Sequence, residues 1–356
     1  MTASPRTSLP LPALRGEFPG GRDYLAACTG GLLPRAAVDR LRALLDRLPH
    51  QGPDMAELTR AVAESRAHAA RILGVGPDDV AIGSQTSVLV SLLAANLPDA
   101  AEVLGVEGDF SSLLLPFVYA GRGIRIRTVP LDALADEIRP GVDLVAFSLV
   151  QSATGAVIDA DAVVAAARTA GARTLCDATQ AAGWMPVDAA RFDATVCHAY
   201  KWLCAPRGVA FLALRPSYAA ALRPVQAGWY AGEDPWRSTY GTDAVLADSA
   251  RRFDVSPAWE AFLGAEPSLA LFAAADPVEA RTHTTELAAR FRAARGLPEP
   301  RIPSAIVTWP DPGGVDLARL TASGITASGR AGRARLAFHV FNDDLDVEHA
   351  LTALTP

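Results

Sequence analysis

Lysine is almost absent from this chain. Of 33 lysines and arginines, Lys201 is the single lysine. Other scarcities exclude whole classes of protein. The four cysteines, Cys28, Cys176, Cys197 and Cys204, stand at spacings that fit neither a zinc site nor a disulfide framework. Six histidines form no HExxH-type cluster, so no structural metal is expected. No basic block offsets the net charge of −6, which argues against nucleic acid and anionic membrane surfaces. No apolar run reaches the length of a membrane span, and the opening MTASPRTSLPLPALRGEFPGG has no signal-peptide core. A dinucleotide fingerprint is missing too, because the GRG at Gly121 precedes a strand instead of following one. These absences lead us to expect a cytoplasmic protein with reduced thiols.

What is present reads as an enzyme-sized α/β protein. The 356 residues, half of them hydrophobic, have room for a large domain and a smaller one. DDVAIGS reads as a strand running into the apolar helix SVLVSLLAANL. AEVLGVEGD, GIRIRTVP and VDLVAFSLV are further strands, and DADAVVAAARTAG is a helix with aspartate at its start and glycine at its stop. ARTLCDA, DATVCHA and GVAFLALRP follow as strands. The alternation predicts a largely parallel sheet sandwiched by helices, with ligands at the carboxyl ends of its strands.

The strand-end loops hold the residues of chemical interest. Arginine stays charged in proteins, whereas a lysine amine can be desolvated, deprotonated and used as a nucleophile. A chain that writes arginine for every other cation therefore draws attention to Lys201, which follows one strand, and to Asp177, which ends its neighbour. Thr86 and Ser87 open a helix after a strand, where free N–H groups favour a phosphate; plain N-capping is the alternative.

The stretch LCDATQAAGWMPVDAARFDATVCHAYKWLCAPRGVAFLALRP resembles the core signature of the class V aminotransferase family of pyridoxal-phosphate enzymes: Asp-x-x-Gln after one strand, lysine after the next, then a Gly/Pro-rich turn. YLAACTGGLLPRAAVDRL, DFSSLLLPF, LVQSATGAVIDADAVVAAARTAG, RRFDVSPAWEAFLGA and RARLAFHVFNDDLDVEHAL resemble the family's flanking segments, in order. The resemblance implies a fold-type I enzyme: residues 1–24 an N-terminal arm of the small domain, 25–259 the large cofactor-binding domain, and 260–356 a small α+β C-terminal domain.

It also implies roles. The cofactor would be pyridoxal 5′-phosphate, with Lys201 its Schiff-base partner and general base, and Asp177 the acid at the ring nitrogen. Gln180 would bond the ring hydroxyl and Phe110 would stack on the ring, a choice similar to kynureninase-like and isopenicillin-epimerase-like members. Thr86, Ser87, His198 and Tyr200 would hold the phosphate, with Ser256 reaching in from the second subunit of a homodimer. Arg335, with Arg333 as a rival, would fork onto the substrate carboxylate. Ser152 and Gln151 stand where relatives carry an asparagine facing the substrate.

No cysteine follows Cys204, so persulfide chemistry of the cysteine-desulfurase kind is not expected. Trp229 and Tyr230 belong either to a pocket mouth or to an interface. The reaction stays open between an aminotransferase, acting on the α-amino group of an amino acid, and a lyase or epimerase; a non-catalytic protein is the third class.

Overall fold

The computed structural model describes residues 8–355, so residues 1–7 of the expected N-terminal arm lie outside the described residues. Seven strands form the main sheet: β1 (Val80–Gly83), β2 (Glu102–Val106), β3 (Arg125–Val129), β4 (Leu144–Ser148), β5 (Arg173–Asp177), β6 (Ala194–His198) and β7 (Ala210–Leu214). Their order is β1-β7-β6-β5-β4-β2-β3. Strands β3, β2, β4, β5 and β6 run parallel, while β7 lies antiparallel to both β6 and β1. The sheet is thus largely parallel, as expected, with one strand reversed.

Burial on both faces explains why these strands read as continuous apolar runs. Successive side chains of a strand point to opposite faces. In β4, Val145 and Phe147 enter one core while Leu144 and Ala146 enter the other. The first core packs against helices Met55–Leu73, Ala160–Ala170 and Trp259–Ala274; the second packs against Thr86–Asn96 and Ser111–Val118. Helix Ala160–Ala170 carries the expected ends. Asp159 accepts from the Ala162 N–H at 3.2 Å, and Gly171 closes the helix in the left-handed conformation.

A second, antiparallel sheet has the order β8 (Ile306–Pro310), β10 (Arg333–Ala337), β9 (Ser328–Arg330). Its own core, with Phe291, Trp309, Leu336 and Phe338, is closed by helices Pro277–Ala294 and Asp344–Ala353. Backbone hydrogen bonds are among the contacts that seat the N-terminal segment on the rest of the chain. Leu25 N–H donates to Thr326 O at 2.8 Å, and Gly31 N–H donates to Tyr200 O at 2.8 Å. At Gly31 a Cβ would fall 2.1 Å from the Lys201 carbonyl, so only glycine permits this approach.

Candidate active site

The parallel strands deliver the expected residues to one edge. Gln85 and Thr86 follow β1, Asp109 and Phe110 follow β2, Gln151 and Ser152 follow β4, Gln180 follows β5, and Tyr200 and Lys201 follow β6. This is the carboxyl edge at which open α/β sheets bind ligands. Because β7 is reversed, its amino end lies at the same edge, and the turn before it supplies Arg207.

A cleft of ≈ 220 Å³ is lined by Thr86, Ser87, Phe110, His198, Tyr200 and Arg207, among others. Thr86 and Ser87 begin helix Thr86–Asn96, whose cap position is Gln85 and makes no side-chain capping bond. N-capping is therefore not the work of these two hydroxyls. The first-turn N–H groups and the helix dipole favour an anion there. His198 Nε2 is buried without a hydrogen-bond partner. Burial, with the Lys201 and Arg207 charges beside it, lowers the His198 pKa to about 4. The Arg207 guanidinium lies 4.1 Å from the Tyr200 ring centre. An orphaned imidazole, a helix start and an arginine fit a phosphate group.

Beyond the cleft, the Lys201 amine is buried, 5.0 Å from the centre of the Phe110 ring and 5.6 Å from that of Tyr200. No carboxylate among the described residues forms an ion pair with it. Burial lowers its pKa to about 8, opposed by the Asp177 charge and helped by those of Arg335 and Arg330. Asp177 is buried; Thr179 N–H donates to its Oδ1 at 2.8 Å. Burial raises the Asp177 pKa, while the Thr179 bonds and the Lys201 charge pull it down. A buried acid of this kind has most to gain from a cationic N–H partner. The pair thus fits a pyridine ring that carries an aldehyde for Lys201.

Sequence reasoning missed the residue that fixes Phe110. Asp109 accepts from the Ser148 N–H at 2.8 Å, the Ser148 hydroxyl at 2.5 Å and the Phe110 N–H at 2.7 Å. Since Ser148 pairs with Asp177 across β4 and β5, the stacking loop is tied to the acid's own strand pair. Arg207 was missed as well, although its place in the Gly/Pro-rich turn after the lysine was a usable signal.

Arg335 is buried with no acidic partner among the described residues. Its Nε donates to Ser328 Oγ at 3.0 Å, Nη2 to Thr29 Oγ1 at 2.8 Å, and Nη1 to the carbonyl and hydroxyl of Ser152. Arg333, the expected rival, turns instead to Thr308 Oγ1 and O, each at 3.2 Å. Ser152 Oγ also accepts from Gln180 Nε2 at 2.9 Å, which fills both lone pairs and leaves its own proton to donate.

Gln180 is more occupied than expected of a residue free to meet a ring hydroxyl. Its second amide proton goes to Cys28 O at 2.9 Å, and its Oε1 accepts from Trp202 Nε1 at 2.7 Å. His339 completes the connection. Its Nδ1 accepts from Val340 N–H at 2.7 Å, so Nε2 carries the proton and donates to Trp202 O at 2.9 Å. Burial lowers the His339 pKa to about 3, consistent with a neutral ring stacked between Trp202 and Phe341. Hydrogen bonds therefore run from Arg335 through Ser152, Gln180 and Trp202 to His339, four residues beyond Arg335 on the same chain segment.

Other residues singled out in the sequence lie outside this chain's own cleft. Ser256 is exposed and does not line the cleft. Gln151 is buried, its amide donating to Glu107 O at 2.8 Å. Trp229 and Tyr230 join Trp236 and Trp259 in an aromatic cluster and do not line the cleft. Cys204 is buried with its thiol pKa pushed up by that burial, the reverse of a reactive thiolate.

The architecture and this edge together define the class: a fold-type I protein with a pyridoxal-phosphate site. Solved structures of similar fold include a C-DES variant with glycine covalently linked to the PLP cofactor (TM-score 0.84, 20% identity, 96% of this chain and 98% of that one). The cysteine desulfurase CsdA of Escherichia coli is another (TM-score 0.82, 18% identity, 97% and 98%). The family Aminotransferase class-V matches residues 40–295, and the chain belongs to it. Isopenicillin N epimerase of Streptomyces clavuligerus is 29% identical over 56% of this chain and 55% of its own length. The chain thus spans about half the length of that relative. An uncharacterized aminotransferase of Bacillus subtilis, YcbU, is 25% identical over 92% of both chains. Kynureninase of Deinococcus radiodurans is 30% identical over 69% of this chain and 64% of its own length.

Proposed function

We propose that this protein is a pyridoxal-phosphate-dependent enzyme acting on the α-amino group of an amino acid, with aminotransferase-type chemistry. The observation that carries the reading is the Lys201 amine: buried, in no ion pair among the described residues, and under the charges of Asp177 and Arg335. When bound, the cofactor supplies an electron sink for the pair left at Cα as a proton departs.

The chain's residues do the rest. Thr86, Ser87, His198 and Arg207 hold the phosphate, and Tyr200 flanks them. Phe110 covers the ring and Asp177 keeps the ring nitrogen protonated. Gln180 would meet the ring hydroxyl in place of its bond to Ser152. Arg335 takes the α-carboxylate with its fork, and Ser152 adds its free proton. Lys201, with a pKa of about 8, can give and take the Cα proton near neutral pH.

We further infer a homodimer in which Ser256 meets the other subunit's phosphate. Exposed Val225, Trp236, Tyr240 and Val245 favour that reading, since an apolar surface of this kind suits a partner. We infer a two-part division near residue 260, with helix Trp259–Ala274, which packs on Met55–Leu73 and Arg35–Gln51, as the link. The free, buried cysteines favour a cytoplasmic setting.

Relatives named epimerase and kynureninase favour a second reading, a lyase or epimerase on the same machinery. An absorption spectrum of the holoenzyme with a panel of amino acids tests both. Transamination converts the cofactor to its amine form until a keto acid is added. Elimination releases ammonia and leaves the aldehyde form in place. Epimerisation inverts Cα with neither change. A protein that takes up no cofactor would sink all three.

A further inference from the structure

Strands β9 and β10 pair with Arg335 opposite Ser328 and Arg333 opposite Arg330. Residues two apart on a strand share a face, and so do directly opposed partners. Ser328, Arg330, Arg333 and Arg335 therefore stand on one face of the second sheet. It is the face turned to the active site, because Arg335 on it reaches Ser328, Ser152 and Thr29. Three arginines climb this face, from buried Arg335 through half-buried Arg333 to exposed Arg330.

Like charges opposite each other in a sheet repel. None of the three arginines has an acid within ion-pair reach among the described residues. Arg333 donates to Thr308, and Arg330 Nη1 to the Gly329 carbonyl at 2.7 Å. Acids are not scarce: the chain has 39 against 33 basic residues. The arrangement thus keeps repelling cations together beside a site that already has its carboxylate receptor in Arg335. The Arg330 charge also acts on Lys201, Tyr200 and Arg335, in keeping with its place on the same sheet face as Arg335.

We propose that the substrate is an amino acid with a second carboxylate on its side chain, received by Arg330 on the β9–β10 hairpin, with Arg333 behind it. This inference rests on the amino-acid reading above and adds the substrate class. The backbone at Ala331 and Gly332 is left-handed, giving a tight turn that fixes Arg330 and Arg333 as the last pair of the ladder. The second anion thus meets a receptor presented by paired strands.

The holoenzyme spectrum, titrated with L-aspartate against L-asparagine and L-glutamate against L-glutamine, tests this. One acid should half-saturate at roughly tenfold lower concentration than its amide, the scale of one charge-assisted hydrogen bond. In Arg330→Gln the acid's advantage over its amide should vanish. Acids and amides acting alike in the wild-type protein would overturn the second-carboxylate inference and leave the amino-acid reading intact. So would an Arg330→Gln variant weakened equally toward both. Should none of the four compounds, nor any other amino acid, alter the spectrum, both readings fall together.

Discussion

Lys201 sits where two influences oppose each other. Burial disfavours its ammonium form, and Asp177 favours it; burial is the larger, so the pKa settles at about 8 rather than 10.5. A lowered pKa means the neutral, nucleophilic amine accumulates as pH rises through that value. Uptake of pyridoxal phosphate by the cofactor-free protein should accelerate roughly tenfold between pH 7 and pH 9, with a midpoint near pH 8. Asp177→Asn removes the opposing charge and should move the midpoint to lower pH. Stopped-flow absorbance reads both, and a midpoint near that of free lysine would refute the burial argument. Lys201 stands out in the sequence because arginine cannot serve as a neutral amine. Depth was not legible: Arg333 and Arg335 are two residues apart on one strand, and only the fold decides which one is buried. Thr29 and Ser328, which hold Arg335, come from segments about 300 residues apart and share no sequence pattern.

At the scale of elements, the loop leading to Ser256 is anchored by a buried ion pair. Arg66 reaches Asp254 with both terminal nitrogens, at 3.1 and 2.6 Å, and also donates to Val80 O. Asp254 accepts in addition from the Ile82 N–H at 2.8 Å. Helix Met55–Leu73, strand β1 and the loop are thereby tied at one point. Removing one partner strands the other charge out of water, so Arg66→Ala should cost about 3–5 kcal/mol. Urea unfolding measures this, and a loss under about 1 kcal/mol would mean the pair adds little. Strands of the main sheet were readable from their apolar runs, since burial on both faces leaves that signature. The reversal of β7 was not, because a strand's composition carries no direction. Its consequence is that the turn before β7 brings Arg207 to the site.

At the scale of the whole molecule, the proposed homodimer draws on exposed Trp236 and Tyr240 and on the Ser256 loop. If two copies complete each other's phosphate sites, the protein should sediment as a dimer. Mixing Lys201→Ala with Ser256→Ala subunits should then yield some dimers in which one site has both residues intact. Activity above that of either variant alone checks it; a monomer in sedimentation would refute it. The resemblance to class V aminotransferases covered most of the chain, and its family is the one that matches residues 40–295. The small sheet left a fainter trace, since short strands such as RARLA carry charge that hides their alternation.

A last consequence follows from the burial of the only lysine. The folded protein's exterior presents guanidinium groups but no side-chain ammonium. Amine-selective reagents, and enzymes that append acetyl groups or ubiquitin to lysine, find no surface lysine to modify while the fold holds. Amine labelling of any side chain therefore reports on unfolding or on an opened active site, and it reports at one address.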